Sequence, residues 1–248
     1  MRPHRTWPLA SLAGLGLLAG CVGDAASSAP LLEEPPSAVL ATALTALKAG
    51  DSVHIAIAVT TSQGTVSRSD EATAGGGWHV FTTGTGGRLS IVLIGSVGYV
   101  GGNAAGLVGL MQLPGQEAHL EAGQWIAIRP GQHLGASSYD DITGGITLSS
   151  VASQVTPAGP LTLTAPATIA GQRAIGVQGH APASMRLPPA ARVTLYVAAS
   201  DGRPLRYEVS GVGGYTDKIT FSDWGQGVQL VVPPHAIPAT QVQTPTPT

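Results

Sequence analysis

The chain has a single cysteine, Cys21, and is poor in charge and rings: 10% of its 248 residues are charged and 4% are aromatic. A typical soluble chain carries about 25% charged residues. Without a second thiol, an internal disulfide, a dithiol redox pair and a cysteine-based metal site are all excluded. No lysine or arginine cluster forms a basic stripe, so neither a nucleic-acid-binding surface nor a polybasic membrane patch is expected. The motifs Gly-x-Ser-x-Gly, His-Glu-x-x-His and Gly-x-x-x-x-Gly-Lys-Ser/Thr are absent. His54, His79, His119, His133, His180 and His235 stand singly, without the spacing of metal ligands. The glycine runs at 75–77 and 84–87 lack the helix and lysine of a phosphate loop and read as hairpin connections. No cofactor, no metal and no catalytic residue is expected, and the chain is not read as an enzyme.

What is present starts at the N-terminus. Arg2 and Arg5 precede an uncharged stretch from Leu9 to Gly20. That stretch is too short to cross a bilayer core as a helix, which takes about 20 residues, and residues 1–20 read as a signal peptide. Leu18, Ala19, Gly20 and Cys21 resemble the bacterial lipobox. The resemblance implies a diacylglycerol on the Cys21 sulfur, cleavage before Cys21, and a lipid anchor on the outer, extracytoplasmic face of the cell membrane. Acyl methylenes contribute about 0.8 kcal/mol each on burial, so two chains hold a protein that one would release. A secreted protein whose one cysteine happens to follow its signal is the alternative.

Removal of residues 1–20 leaves 10 basic and 14 acidic residues. Residues 22–36 are polar and proline-bearing and read as a flexible tether. Residues 37–234 form one candidate domain, and residues 235–248 read as a disordered tail. The body is rich in the small and β-branched residues of short strands, with 34 glycines and 19 prolines in the chain to turn them.

Residues 37–50 have a helical pattern, with Leu40, Ala43, Leu44 and Leu47 on one face, Ser37 as N-cap and Gly50 as stop. From residue 52, Val53, Ile55, Ile57 and Val59 alternate with weaker neighbours, and a strand meander follows to residue 102. Residues 103–111 and 139–153 lack the period of two and predict short apolar helices, the second weakened by Gly144 and Gly145. Asp140 and Asp141 suit its first turn, or with Tyr139 form a polar gate. Strands return from residue 160, with a hairpin turning at Asp201-Gly202. On its flanks Val193, Leu195 and Val197 share a face with Leu205, Tyr207 and Val209, while Arg206, Glu208 and Ser210 face away. A large sheet with one apolar face must be covered. The expected class is α+β, mainly β: a curved antiparallel sheet, a half-open β-barrel of about ten strands, covered by two or three short helices.

The segments "LYVAASDGRPLRY", "FSDWG", "TIAGQRAIGVQG", "WIAI" and "VVPP", in their order after the lipobox, resemble the LppX/LprG type of envelope lipoprotein in the LolA-like group. The resemblance spans residues 37–234. It implies a half-barrel whose apolar cavity accepts the acyl chains of a lipid or glycolipid for carriage within the cell envelope. The candidate lining is Leu44, Leu47, Ile55, Ile57, Ile91, Leu93, Leu107, Leu110, Met111, Ile142 and Ile146, with plain core the reading favoured for any one of them taken singly. Trp78, Trp125 and Trp224 read as core or rim aromatics. The partners implied are acyl chains and, through Cys21, the membrane; no nucleic acid is expected, and no protein partner is specified. A regulatory or scaffolding lipoprotein that binds a protein and no lipid is the alternative: a filled core with an exposed apolar edge favours it, an open apolar cavity the carrier.

Overall fold

The computed structural model describes residues 31–62, 64–182, 185, 187–213 and 215–242; residues 1–30, with the signal segment, Cys21 and most of the expected tether, lie outside them. Helix α1 (Pro36–Ala49) leads into a meander of β1 (Ser52–Thr61), β2 (Gly64–Thr73), β3 (Gly76–Thr83), β4 (Arg88–Ile94) and β5 (Val97–Gly102). Helices α2 (Ala104–Met111) and α3 (Gly115–Glu121) precede β6 (Trp125–Ile128) and the small hairpin of β7 (His133–Leu134) and β8 (Ser137–Ser138). Helices α4 (Tyr139–Thr143) and α5 (Leu148–Gln154) follow. The chain then returns to strands: β9 (Ala158–Leu163), β10 (Ala167–Ile169), β11 (Gln172–His180), β12 (Arg192–Ala198), β13 (Pro204–Ser210), β14 (Thr216–Ser222) and β15 (Ile237–Pro238).

All strands but β7 and β8 join one 13-stranded sheet in the order β10-β11-β12-β13-β14-β1-β2-β3-β4-β5-β6-β15, with β9 also on β11. Every pairing is antiparallel except β15 on β6. The sheet curves without closing. The architecture is therefore α+β, mainly β, a half-open barrel with helices across one face. Two-residue strands, the extra helix α3 and the division of the helix expected over 139–153 account for most of the larger number of elements than the periodicity suggests. Helix α3 has little apolar pattern: its buried residues are Glu117, Ala118 and Glu121.

Local chemistry explains the boundaries. Helix α1 buries Val39, Leu40, Ala43 and Leu47. It starts on Pro36 behind Pro35, so Ser37 is not its N-cap; a proline in the first turn loses no hydrogen bond and supplies a helical φ. Helix α2 is capped by Asn103, whose Oδ1 accepts from the Gly106 amide at 2.8 Å and the Arg88 amide at 3.0 Å. A Cβ on Gly106 would lie 2.1 Å from the Arg88 carbonyl oxygen, so only glycine lets α2 sit down on β4. The helix expected over 139–153 is two, because Gly145 takes a left-handed φ of +78° and Thr147 starts α5 with a capping box. Asp141 forms the capping box of α4 with Ser138.

The ends are more ordered than the composition suggests. Leu32 packs against the core, and the tail expected from residue 235 is ordered through Val242: Ile237 pairs with Ile126 and, with Ala239 and Val242, packs on the second cluster. Few apolar residues in a proline-rich stretch give no periodicity to read, yet three suffice to dock it.

The interior has two large clusters and a small third one of Ile169, Ala174, Ala198 and Leu205. One buried cluster joins α1 and α5 to β1 and β11–β14, around Leu47, Leu195, Tyr207 and Phe221. The other joins α2, α3 and α4 to β4–β6, around Leu89, Leu107, Ile126 and Ile146.

Candidate functional site: the concave face of the sheet

Register places the side chains. On the helix-covered face one cross-strand row runs Phe221, Ile55, Asp70, His79, Ile91, Val100, Ile126. The next runs Tyr207, Ile219, Ile57, Arg68, Phe81, Leu89. Both are apolar at their ends; the first is polar on β2 and β3 and the second on β2, where the two buried clusters meet.

At that seam Asp70 and His79 are 0% and 1% exposed. Arg68 Nε lies 2.9 Å from Asp70 Oδ2, and His79 Nδ1 lies 2.9 Å from Asp70 Oδ1, the latter outside hydrogen-bonding alignment. His79 Nε2 has no partner. The Phe81 ring stacks on His79 at 5.8 Å and carries the Arg68 guanidinium at 5.5 Å. Burial pushes the His79 pKa down, against the opposing pull of Asp70, so the ring is neutral at pH 7. The Arg68–Asp70 pair fixes the guanidinium, and the buried carboxylate is held by a charged partner.

One step along the same face, a cavity of about 250 Å³ opens between β1, β2, β13 and β14 and the end of α5, lined by Ile57, Val59, Arg68, Gln154, Met185, Tyr207, Asp217 and Ile219. Asp217, opposite Val59, is 7% exposed. Its Oδ1 has no partner, and its Oδ2 accepts only a long 3.5 Å bond from the Tyr215 hydroxyl. Burial raises the Asp217 pKa, against the Arg68 charge and the Tyr215 bond. Burial pushes the Tyr215 phenol up to about 12, aided by the Asp217 charge. The fully buried Tyr207 hydroxyl donates at 3.2 Å to the Met185 sulfur, a weak acceptor.

The candidate lining residues take these places. Leu47 and Ile55 are buried in the first cluster, and Leu44 and Ile57 pack at its margin. Ile91, Leu93, Leu107, Met111, Ile142 and Ile146 are buried in the second, with Leu110 at its margin. Ile57 alone among them lines the cavity. Trp224 stacks on Phe221 at 6.4 Å and closes the first cluster. Asp140 is exposed, and Tyr139 is half-buried.

Sequence reasoning missed Arg68, Asp70, His79, Tyr215 and Asp217. The signal for the first two was the turn after β1: antiparallel pairing across it sets Arg68 opposite Ile57 and Asp70 opposite Ile55, on the apolar face. A larger groove of about 560 Å³ beside Arg88, Ser90 and Trp125 lies on the other face of the sheet, since Arg88 and Ser90 alternate with buried Leu89 and Ile91, and one of about 480 Å³ lies between Gln112, Glu117, Leu134 and Val242. Among the described residues no three His, Cys, Asp or Glu side chains are grouped to hold a metal ion, and no helix is long and apolar enough to cross a membrane.

No protein-family model matches the chain, and no curated protein matches it by sequence. Solved structures do match. LprF from Mycobacterium bovis is 17% identical over 80% of this chain and 96% of its own, with a TM-score of 0.53. The lipoprotein LppX of Mycobacterium tuberculosis is 19% identical over 79% of this chain and 99% of its own, with a TM-score of 0.49. A LolA superfamily protein from Nitrosomonas europaea is 13% identical over 79% of this chain, with a TM-score of 0.31. The likeness to LprF, with a TM-score above 0.5, shows the fold: the chain is built on the same curved, helix-covered sheet as LprF.

Proposed function

We propose that this is a membrane-anchored envelope lipoprotein whose single domain, residues 37–234 with the docked segment through Val242, carries the acyl chains of a lipid or glycolipid between its concave sheet face and its helices. Cys21 carries the lipid anchor on the outer face of the membrane, and residues 22–36 tether the domain to it. The observation that carries the reading is the cover. The apolar sheet face is roofed by α2, α3, α4 and α5, of 8, 7, 5 and 7 residues. Isolated helices below about 12–15 residues are marginal, so these hold only by packing on the sheet. Hydrocarbon chains offer the sheet the same apolar contact at about 25 cal/mol per Å². Exchange of helix side chains for acyl chains is thus nearly neutral in burial, as reversible loading and release require. No catalytic group is needed.

The filled bowl favours the second reading, a lipoprotein that binds a protein partner and no lipid. Leu107 and Ile146 are fully buried among their neighbours, and Val231 and Val232 are 71% and 55% exposed. Native mass spectrometry of the Cys21→Ser protein, purified from a bacterial host, separates the two. Co-purifying lipid in the folded protein supports carriage; protein that is folded and empty in every preparation, and takes up none of a panel of amphiphiles, contradicts it.

A further inference from the structure

We propose that the 250 Å³ cavity is the subsite for the polar end of the cargo, and that it selects a neutral head bearing a free hydroxyl, which donates to Asp217 while a second head oxygen accepts from Arg68. The inference rests on the carrier reading and deepens it.

Three observations carry it. The first is an idle acceptor: Asp217 is 7% exposed and lines the cavity, yet Oδ1 has no partner and Oδ2 only the distant Tyr215 hydroxyl. Buried polar groups are normally paired, and an orphan at a cavity wall points to a donor that arrives with a ligand. The Tyr207 hydroxyl, spent on the Met185 sulfur, is a second underused group in the same cavity. The second is the charge count. Arg68 is already committed through Nε to Asp70, and His79 is neutral. Beside Asp70 and Asp217 the guanidinium leaves no surplus positive charge for a phosphate or carboxylate, while a cationic head would meet the guanidinium itself. A hydroxyl satisfies Asp217 without adding charge. The third is size. Ligand pockets run from about 300 to 1,000 Å³, so this one suits a head group and not a whole amphiphile. Ile57, Val59 and Ile219 form the apolar side from which a chain would run on under the helices.

Binding of 1-monooleoylglycerol, oleate and methyl oleate to the purified Cys21→Ser protein tests this, by displacement of a fluorescent acyl probe. The three share one chain and differ in head: neutral with hydroxyls, anionic, and neutral without a donor. The expected order has 1-monooleoylglycerol binding at least tenfold tighter than either of the others. Asp217→Leu should bring it down to the level of methyl oleate and leave methyl oleate unchanged. Asp217→Asn, which keeps the shape and an acceptor, should lose affinity several-fold, and both variants should melt no lower than the parent because the replaced carboxyl has no close partner. Equal binding of all three ligands, or tightest binding of oleate, overturns the subsite and leaves the carrier reading standing. Failure of all three to displace the probe, with the probe itself unbound, overturns both.

Discussion

The two halves of the sheet are covered by different means. Around β11–β14 the cover is α1, 14 residues long, locked on Leu195, Tyr207 and Phe221 with Trp224 closing the end. Around β4–β6 it is three helices, α2 to α4, of 8, 7 and 5 residues, joined by short loops. One half is a continuous wall, and the other is a roof in pieces. Between them lies the polar seam of Arg68, Asp70 and His79. Burial therefore does not by itself mean permanence: the pieced half belongs to the low-stability end from which moving elements are drawn.

The sharpest way to break that contrast is a pair of truncations at fully buried leucines. Leu195→Ala in the wall should cost about 2–5 kcal/mol in urea unfolding. Leu107→Ala in the roof should cost less than half as much in the global transition while speeding amide exchange in α2 and α3. Equal global losses would remove the distinction. Next in size, Gly106→Ala drives a methyl against the Arg88 backbone and should cost about 1–3 kcal/mol, with the loss confined to the docking of α2. A near-ultraviolet circular dichroism spectrum unchanged beside a lost α2 protection would support this; unaltered protection would contradict it.

The seam predicts a pH dependence. His79 has a folded-state pKa below its ordinary 6.5, so between the two values the unfolded chain holds more protons. Stability is then full above pH 6.5 and falls as the pH drops below it, and His79→Leu should flatten that slope. Asp217 acts with the opposite sign: its pKa is raised above 3.8, so its contribution is present at low pH and is lost as pH rises through the folded value. Asp217→Asn should remove that part, and thermal melts from pH 4 to 8 on both variants check the signs. The smallest effect is expected at His54, whose Nδ1 lies 2.9 Å from Glu71 on the outer face. His54→Ala should change stability by no more than about 1 kcal/mol, as surface pairs do, and a larger loss would show that the outer face also bears load.

Much of the wall was legible in residue order. The alternation of Val53, Ile55, Ile57 and Val59, and the shared face of Val193, Leu195, Tyr207 and Val209, are the pleat itself, and the pairing follows it. Helix α2 was legible from Asn103 and an apolar face. The roof was less so. Helix α3 buries two glutamates and one alanine, and no apolar period marks it. The polar site escaped because Arg68 and Asp70 read as the wet half of an alternating strand; their inward facing is set by the partner strand. Asp217 and Val59 meet across strands more than 150 residues apart in the chain, a juxtaposition no local pattern records.

Hydrogen–deuterium exchange, with and without 1-monooleoylglycerol, tests the central claim of a removable roof over a fixed wall most directly. The account predicts that amides of α2 to α4 exchange faster than those of α1 and β11–β14 in the free protein, and that lipid alters protection in those three helices while leaving the wall unchanged. Uniform slow exchange across both halves, indifferent to lipid, would contradict it.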